Sequence, residues 1–392
     1  MSEKRVGMEV SIAMAEAVKL ANVDCISAYP ITPQTHIVEH LSELVADGGL
    51  DAEFIPVESE HSALSVCAGT SAVGARTFTA TSSQGLALMH EILFIVAGMR
   101  LPIVMALANR ALSSPLSIWN DHSDAMASRD CGWIQIFTEN GQEVFDQTIC
   151  AFKIAEDQRV LIPTIVNLDG FTLSHVVEPH KLVSQEDINK FLPAYKPLYA
   201  LHPDKPLTMG AFGMPEIYSE AKLAQDINLR NSYSVIREVW KEWGGLTGRN
   251  YDPVETYRME GAKIGLLVMG SFCETAMEAV DRVREQGIPV GLLKLRLWRP
   301  FPFDDIREAM KGLETLAVLD RAISVGGIGG PVCSEIKTAL YGQTKRPKVF
   351  SFIAGLGGRD VPPDHFEQMI HEALKLKKKR KVEEFMTIGI RG

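Results

Sequence analysis

Arg76-Thr-Phe-Thr-Ala-Thr-Ser-Ser-Gln-Gly85 opens on an alternating run, residues 76–81, and closes on a turn of small hydroxyl residues and glycine. A helical pattern over 86–97 and a second apolar run, Pro102-Ile-Val-Met-Ala-Leu-Ala108, follow it. This is the grammar of strand, turn, helix, strand. Working outward, the pattern continues on both sides. The spacing predicts helices over 8–20, 35–45 and 61–73, and strands over 23–28 and 54–57. Further strands are expected over 133–137 and 164–168, with a helix between them. Alternation at this spacing argues for an α/β fold, a doubly wound parallel sheet with helices on both faces.

A second α/β unit starts at Lys263. Its strands are expected over 264–269, 290–295, 315–319 and 348–352, and its helices over 273–286, 303–310 and 332–341. Between the two units, residues 178–258 are rich in Pro, Lys and Tyr and weakly periodic, with a charged helical stretch over 231–241. They read as a long surface connection, and connections of that length are often functional or interfacial. The expected domains are 1–240, carrying that connection at its C-terminal end, and 260–385.

The chain has 392 residues, with 40 Lys and Arg against 49 Asp and Glu, a formal charge of −9. Hydrophobic residues are 46% and charged residues 23%, which excludes a disordered or fibrous chain. The acidic balance argues against a nucleic-acid partner. A basic run, Lys375, Lys377, Lys378, Lys379, Arg380 and Lys381, reads as a solvated helix end whose cations suit the dipole. Six cysteines stand apart, with no C-x-x-C pair and no metal-ligand spacing, so neither an iron–sulfur nor a zinc signature is present. Scattered free cysteines fit a reducing, cytoplasmic compartment. The first residues do not read as a signal peptide. The most apolar stretch, 92–108, is broken by Arg100 and Pro102, so no membrane span is expected.

Several strand ends carry chemistry, and in open parallel sheets ligands sit at the carboxyl ends of strands. Tyr29-Pro-Ile-Thr-Pro33 is a rigid turn that would fix the Thr32 hydroxyl; it also reads as a stiff connector. In Val57-Glu-Ser-Glu-His61, a carboxylate is either a helix cap or a proton-moving group. The turn 82–85 lets a flat ligand approach the backbone, or is an ordinary capped turn. Arg110 ends an apolar strand and offers a planar fork for a carboxylate, or forms a structural ion pair. Trp119-Asn-Asp-His-Ser-Asp124 has metal-binding composition without the usual spacing of a hard-metal loop. No P-loop occurs, and Gly326-Gly-Ile-Gly-Gly330 lacks the pattern of a dinucleotide fingerprint.

Taken in order, 29–33, 57–61, 76–85, Asn109-Arg-Ala-Leu112, Ile118-Trp-Asn-Asp121 and Gly132-Trp-Ile-Gln135 resemble the alpha subunit of pyruvate:ferredoxin oxidoreductase and its relatives. Arg299-Pro-Phe-Pro302 and Gly355-Leu-Gly-Gly-Arg-Asp360 extend the resemblance over almost the whole chain. It implies a pyrimidine-type thiamine diphosphate-binding domain followed by a transketolase C-terminal-like domain. It also implies a heteromultimer. A beta subunit would hold the diphosphate and Mg2+. Gamma and delta ferredoxin-like subunits would hold [4Fe-4S] clusters, and coenzyme A would be enclosed with partner chains. The absent phosphate loop, metal loop and cluster cysteines agree with such a divided site.

By the same resemblance, Glu60 bonds N1′ of the aminopyrimidine and takes part in proton transfer through the cofactor. Arg110 holds the substrate carboxylate, and Thr32 donates its hydroxyl to substrate oxygens. Pro30 shapes the loop, and Ser83, Gln84 and Gly85 line the cofactor. The implied reaction turns pyruvate and coenzyme A into acetyl-CoA and CO2, with ferredoxin or a similar carrier as acceptor. Branched-chain, aromatic or other 2-oxoacids are alternative substrates. The alternatives in kind are a noncatalytic scaffold subunit and a self-contained transketolase-like enzyme.

Overall fold

The computed structural model describes residues 4–379 and 383–391. Thr77–Thr81 and Val104–Asn109 are buried at every position, so their sequence is apolar or small throughout instead of alternating toward water. In chain order the first half runs β1 (Lys4–Glu9), α1 (Val10–Leu20), β2 (Cys25–Ala28), α2 (Thr35–Ala46), β3 (Glu53–Pro56) and α3 (Glu60–Ala72). It continues through β4 (Thr77–Thr81), α4 (Ser83–Leu88), α5 (His90–Met99), β5 (Val104–Asn109), α6 (Ser123–Ala127), β6 (Ile134–Phe137), α7 (Gly141–Glu156) and β7 (Thr164–Asp169).

Strands β6-β7-β5-β4-β2-β3 lie side by side and all pair in parallel. Two elements depart from the sequence expectation. The helix expected over 8–20 starts at Val10, and the preceding residues form β1. That strand pairs antiparallel with β8 (Val177–Leu182), a partner more than 160 residues away that no local pattern announces. The helix expected over 86–97 is two, broken at Met89, and the first begins at Ser83, inside the stretch read as a turn.

The region read as a surface connection departs most. After β8 come α8 (Gln185–Phe191) and α9 (Pro215–Thr247), a helix of 33 residues. Its first half is exposed, with Ile217, Tyr218, Leu223 and Ile227 facing solvent among charged residues, which hid the periodicity. Its second half buries Ser232, Val235, Ile236, Val239, Trp240 and Trp243 at helical spacing. Trp240 and Trp243 enter the core around Phe78, Phe145 and Phe152, and Trp240 Nε1 donates to Gln147 Oε1 at 2.7 Å. A fully buried aromatic contributes about 1.5–3 kcal/mol, so this segment is part of the first half's core.

The second half contains β9 (Val254–Tyr257), β10 (Ile264–Val268), α10 (Phe272–Glu285), β11 (Val290–Leu295), β12 (Leu297–Arg299), α11 (Phe303–Ala309) and β13 (Thr315–Asp320). α12 (Pro331–Tyr341), β14 (Lys348–Ile353), α13 (Pro363–Leu376) and β15 (Met386–Thr387) complete it. The second sheet has the order β15-β14-β13-β10-β11-β9, with β9 antiparallel at one edge. β12 leaves this sheet and pairs antiparallel with β6 of the first. Trp133, Met105, Leu267, Leu293 and Trp298 are buried in one apolar cluster that joins the two sheets.

Of the basic run, Lys375 sits in the last turn of α13 beside Glu372, and Lys377 pairs with Glu314. Arg380 and Lys381 lie outside the described residues. No helix among the described residues is long and apolar enough to cross a membrane.

A candidate site at the strand ends of the first sheet

Ser59 precedes α3 in an extended conformation, and its Oγ accepts the Ser62 backbone N–H at 3.2 Å. Ser59 is therefore the helix cap. Glu58 stays outside and accepts the Ser62 hydroxyl at 2.5 Å. Glu60 is left with a buried carboxylate, 6% exposed, that makes no hydrogen bond or ion pair among the described residues. The first turn of a helix suits its charge. It lies against the turn after β4: a Cβ on Gly85 would stand 2.7 Å from Glu60 Oε1 and 2.3 Å from Thr81 Oγ1. Only glycine admits both side chains there.

The hydroxyls of Thr79, Thr81 and Ser82 in the same strand and turn are buried without a hydrogen-bond partner. Ser82 precedes α4 but its hydroxyl does not cap it. Ser83 has φ +45, in the left-handed region, and Gln84 is half-buried. A buried carboxylate and orphaned hydroxyls beside a glycine are suited to a flat ring that brings its own N–H donors. Those residues fit the aminopyrimidine of thiamine diphosphate.

Arg110 leaves the end of β5. Its Nη1 donates to the Thr32 carbonyl and its Nε to the Ser117 carbonyl, each at 2.9 Å. It forms no ion pair among the described residues, and Nη2 makes no hydrogen bond there. Burial pulls its pKa down from the usual range while Asp124 opposes the shift. A guanidinium tied to two neutral carbonyls keeps a whole charge for an incoming anion. Thr32 and Pro30 are exposed, on the surface of the chain. Arg110 and Thr32 are thus joined directly.

Asp124, at the start of α6, was not singled out by the sequence. It is fully buried, and Oδ2 accepts both the Ser83 N–H at 3.1 Å and the Arg110 N–H at 2.9 Å. Oδ1 accepts Asn109 Nδ2 at 3.1 Å. Burial pushes its pKa up to about 7 against those donors. One carboxylate therefore sets the spacing between the turn after β4 and the end of β5. The only signal was its place in the polar stretch 119–124. The second half reaches the same loops: Gly357 N–H donates to Asp121 Oδ2 at 3.1 Å, and a Cβ on Gly358 would stand 2.4 Å from Trp119 Cβ.

The glycine run at 326–330 has a structural use. A Cβ on Gly330 would stand 2.0 Å from the Asp320 carboxylate, which accepts the Val332 and Cys333 N–H groups at the start of α12. A cavity of about 620 Å³ between α9 and the segment 299–305, lined by Lys222, Tyr233, Phe301 and Asp305, contains none of Glu60, Thr32 or Arg110. All six cysteines are free and buried.

Two largely parallel sheets pack together, with a buried carboxyl group and polar groups at the strand ends of the first, an α/β architecture. The chain belongs to the pyruvate:ferredoxin oxidoreductase family. Residues 16–241 match the family described as pyruvate flavodoxin/ferredoxin oxidoreductase, thiamine diphosphate-binding, and residues 262–366 match pyruvate:ferredoxin oxidoreductase core domain II. The chain is 50% identical to pyruvate synthase subunit PorA of Methanothermobacter thermautotrophicus, over 91% of this chain and 92% of that one. The PorA of Methanocaldococcus jannaschii is also 50% identical, over 93% of each. Ketoisovalerate oxidoreductase subunit VorA of Pyrococcus horikoshii is 45% identical over 89% of this chain and 88% of that one. Among solved structures, a 2-oxoglutarate:ferredoxin oxidoreductase of Magnetococcus marinus shares the fold, with TM-score 0.71 at 20% identity. That match covers 95% of this chain and 66% of the other.

Proposed function

We propose that this chain is the alpha subunit of a cytoplasmic pyruvate:ferredoxin oxidoreductase. The complex converts pyruvate and coenzyme A to acetyl-CoA and CO2, releasing a proton and two electrons that ferredoxin carries away. The observation that carries the reading is Glu60: a buried, unpartnered carboxylate against Gly85, in a chain half identical to pyruvate synthase subunits. Thiamine diphosphate, its ring held by Glu60 and the turn 83–85, would supply a nucleophilic carbon and an electron sink for decarboxylation of the 2-oxoacid.

Glu60 accepts a proton from N1′ of the aminopyrimidine and returns it during turnover. Arg110 binds the substrate carboxylate through its free Nη2, and Thr32 donates its hydroxyl to the substrate's oxygens. Pro30 keeps that turn in place, while Ser83, Gln84 and Gly85 line the ring. The exposure of Thr32 and Pro30 supports a site completed by another chain, a beta subunit that holds the diphosphate and Mg2+. Gamma and delta subunits carry the [4Fe-4S] clusters. A second reading, a branched-chain 2-oxoacid, draws on the 45% identity to a ketoisovalerate oxidoreductase subunit.

The test is kinetics of the assembled complex. Glu60→Gln keeps assembly and lowers turnover about 10²–10⁴-fold, since a neutral amide cannot accept the proton. Arg110→Ala lowers kcat/KM for pyruvate about ten- to a hundredfold, the worth of one charge-assisted hydrogen bond, with cofactor content unchanged. Arg110→Lys falls between. Wild-type rates in both Glu60→Gln and Arg110→Ala would overturn the assignment. A panel of larger 2-oxoacids decides between the two substrate readings.

A further inference from the structure

Three half-buried side chains from separate elements converge beside the first turn of α2. Glu9 ends β1, His36 lies in α2, and His175 lies between β7 and β8. One ligand atom from each falls within 4.8 Å of the others. Glu9 Oε1 is 2.7 Å from His36 Nδ1, and the His36 and His175 rings stand 4.5 Å apart. We propose that Glu9, His36 and His175 form a binding site for one divalent cation of the zinc class.

The Glu9–His36 contact does not include His175, whose ring nonetheless faces the second imidazole. His175 is also held in place. Its Nδ1 is 2.7 Å from Ser174 Oγ, which accepts the Phe171 N–H at 2.9 Å, and the Phe171 ring backs it at 4.7 Å. The Ser174 carbonyl accepts both the N–H and the hydroxyl of Ser11, so the segment is anchored to α1. Fixing one imidazole nitrogen by a hydrogen bond leaves the other for a metal, the arrangement that orients ligating histidines.

Two imidazoles and one carboxylate, with water as a fourth ligand, suit Zn2+ and disfavour Mg2+ and Ca2+, which take oxygen ligands. Bond lengths near 2.0–2.1 Å place tetrahedral ligand atoms about 3.3 Å apart, within the spacing found here after small side-chain rotations. A bound cation would pin the first turn of α2 to the segment 171–175. That segment already lies against the neighbouring turn: a Cβ on Gly170 would stand 2.5 Å from Pro33 Cγ.

The test is equilibrium dialysis of the full chain, stripped with a chelator, against Zn2+, with X-ray absorption at the zinc edge. The expected result is one equivalent bound, with a shell of nitrogen and oxygen only. His36→Gln and His175→Gln should each weaken binding at least tenfold, and Glu9→Gln should weaken it less. No stoichiometric uptake, sulfur in the shell, or unchanged affinity in both histidine variants would overturn the proposal. If a variant fails to fold, the absorption spectrum of the unaltered chain decides alone.

Discussion

Ser59 and Glu60 are neighbours that divide two tasks one residue could have filled. Ser59 caps α3, and Glu60 keeps a buried carboxyl group unspent beside Gly85. The sequence left a cap and a proton-moving carboxylate as rival readings, because both live at the start of a helix after a strand. Hydrogen-bond geometry gives the cap to Ser59 and leaves the Glu60 carboxyl without a hydrogen bond among the described residues. Gly85→Ala tests how tightly that carboxylate is placed. Its Cβ would press on Thr81 Oγ1 and Glu60 Oε1, and the flexible Glu60 side chain must yield. We expect a folded, assembled complex, judged by circular dichroism and gel filtration, with turnover at least tenfold lower. Unchanged turnover would mean that Gly85 does not position Glu60. Arg110 drew notice in the sequence as a charged residue closing an apolar strand, and Glu60 as a carboxylate at the start of a helix. Asp124 was not, because its partners, Ser83 and Arg110, are 41 and 14 residues away and meet it only in the fold.

At the scale of elements, strands buried along their whole length announced themselves, while β1, β8 and the long helix α9 did not. β4, β5, β7 and β10 read clearly from sequence for that reason. α9 did not, since its exposed first half diluted the apolar spacing of its second. β1 and β8 are partly exposed and, among the described residues, have only each other as sheet partners. The helix start at α12 shows how an element's cap sets its response to pH. Burial pushes the Asp320 pKa up to about 7, although two backbone N–H groups pull it down. The folded chain therefore holds a proton that the unfolded chain, with an ordinary carboxylate pKa near 3.9, has released between about pH 4 and 7. That contribution to stability is complete below about pH 4 and is lost as pH rises through about 7. Replacing Asp320 by Asn should remove it. Chemical denaturation across pH 4–8 should show the wild type losing stability, relative to Asp320→Asn, by a few kcal/mol. A difference that stays constant with pH would refute the protonated carboxyl.

For the whole molecule, the joint between the two sheets matters most. Asp169 ends β7 of the first sheet, and Arg321 follows β13 of the second. Asp169 Oδ2 is 2.6 Å from Arg321 Nη1 and accepts the Ser271 N–H at 2.9 Å, while Oδ1 is 2.9 Å from His122 Nε2. Burial alone would raise this carboxyl; Arg321 and His122 outweigh it and hold its pKa well below the usual range. Asp169→Asn leaves the Arg321 charge buried without its partner, which costs about 3–5 kcal/mol. Urea unfolding should report a loss of that size, whereas a loss below about 1 kcal/mol would make the pair dispensable. The sequence had marked only His122, within the polar stretch 119–124; Asp169, Ser271 and Arg321 are unremarkable polar residues until the halves meet.

β12 gives the joint a dimension in time. It closes the free edge of β6 through Leu297 and Arg299, which face Ile136 and Gln135. A ribosome reaches Leu297 roughly 160 residues after completing β6, or roughly 10–30 s later at ordinary rates of synthesis. Throughout that interval the nascent first half offers one edge of β6, with its N–H and C=O groups unpaired, to any extended chain nearby. A nascent polypeptide stalled short of Leu297 is thus the form most open to strand capture, and chaperone contact with it should cease once β12 has emerged.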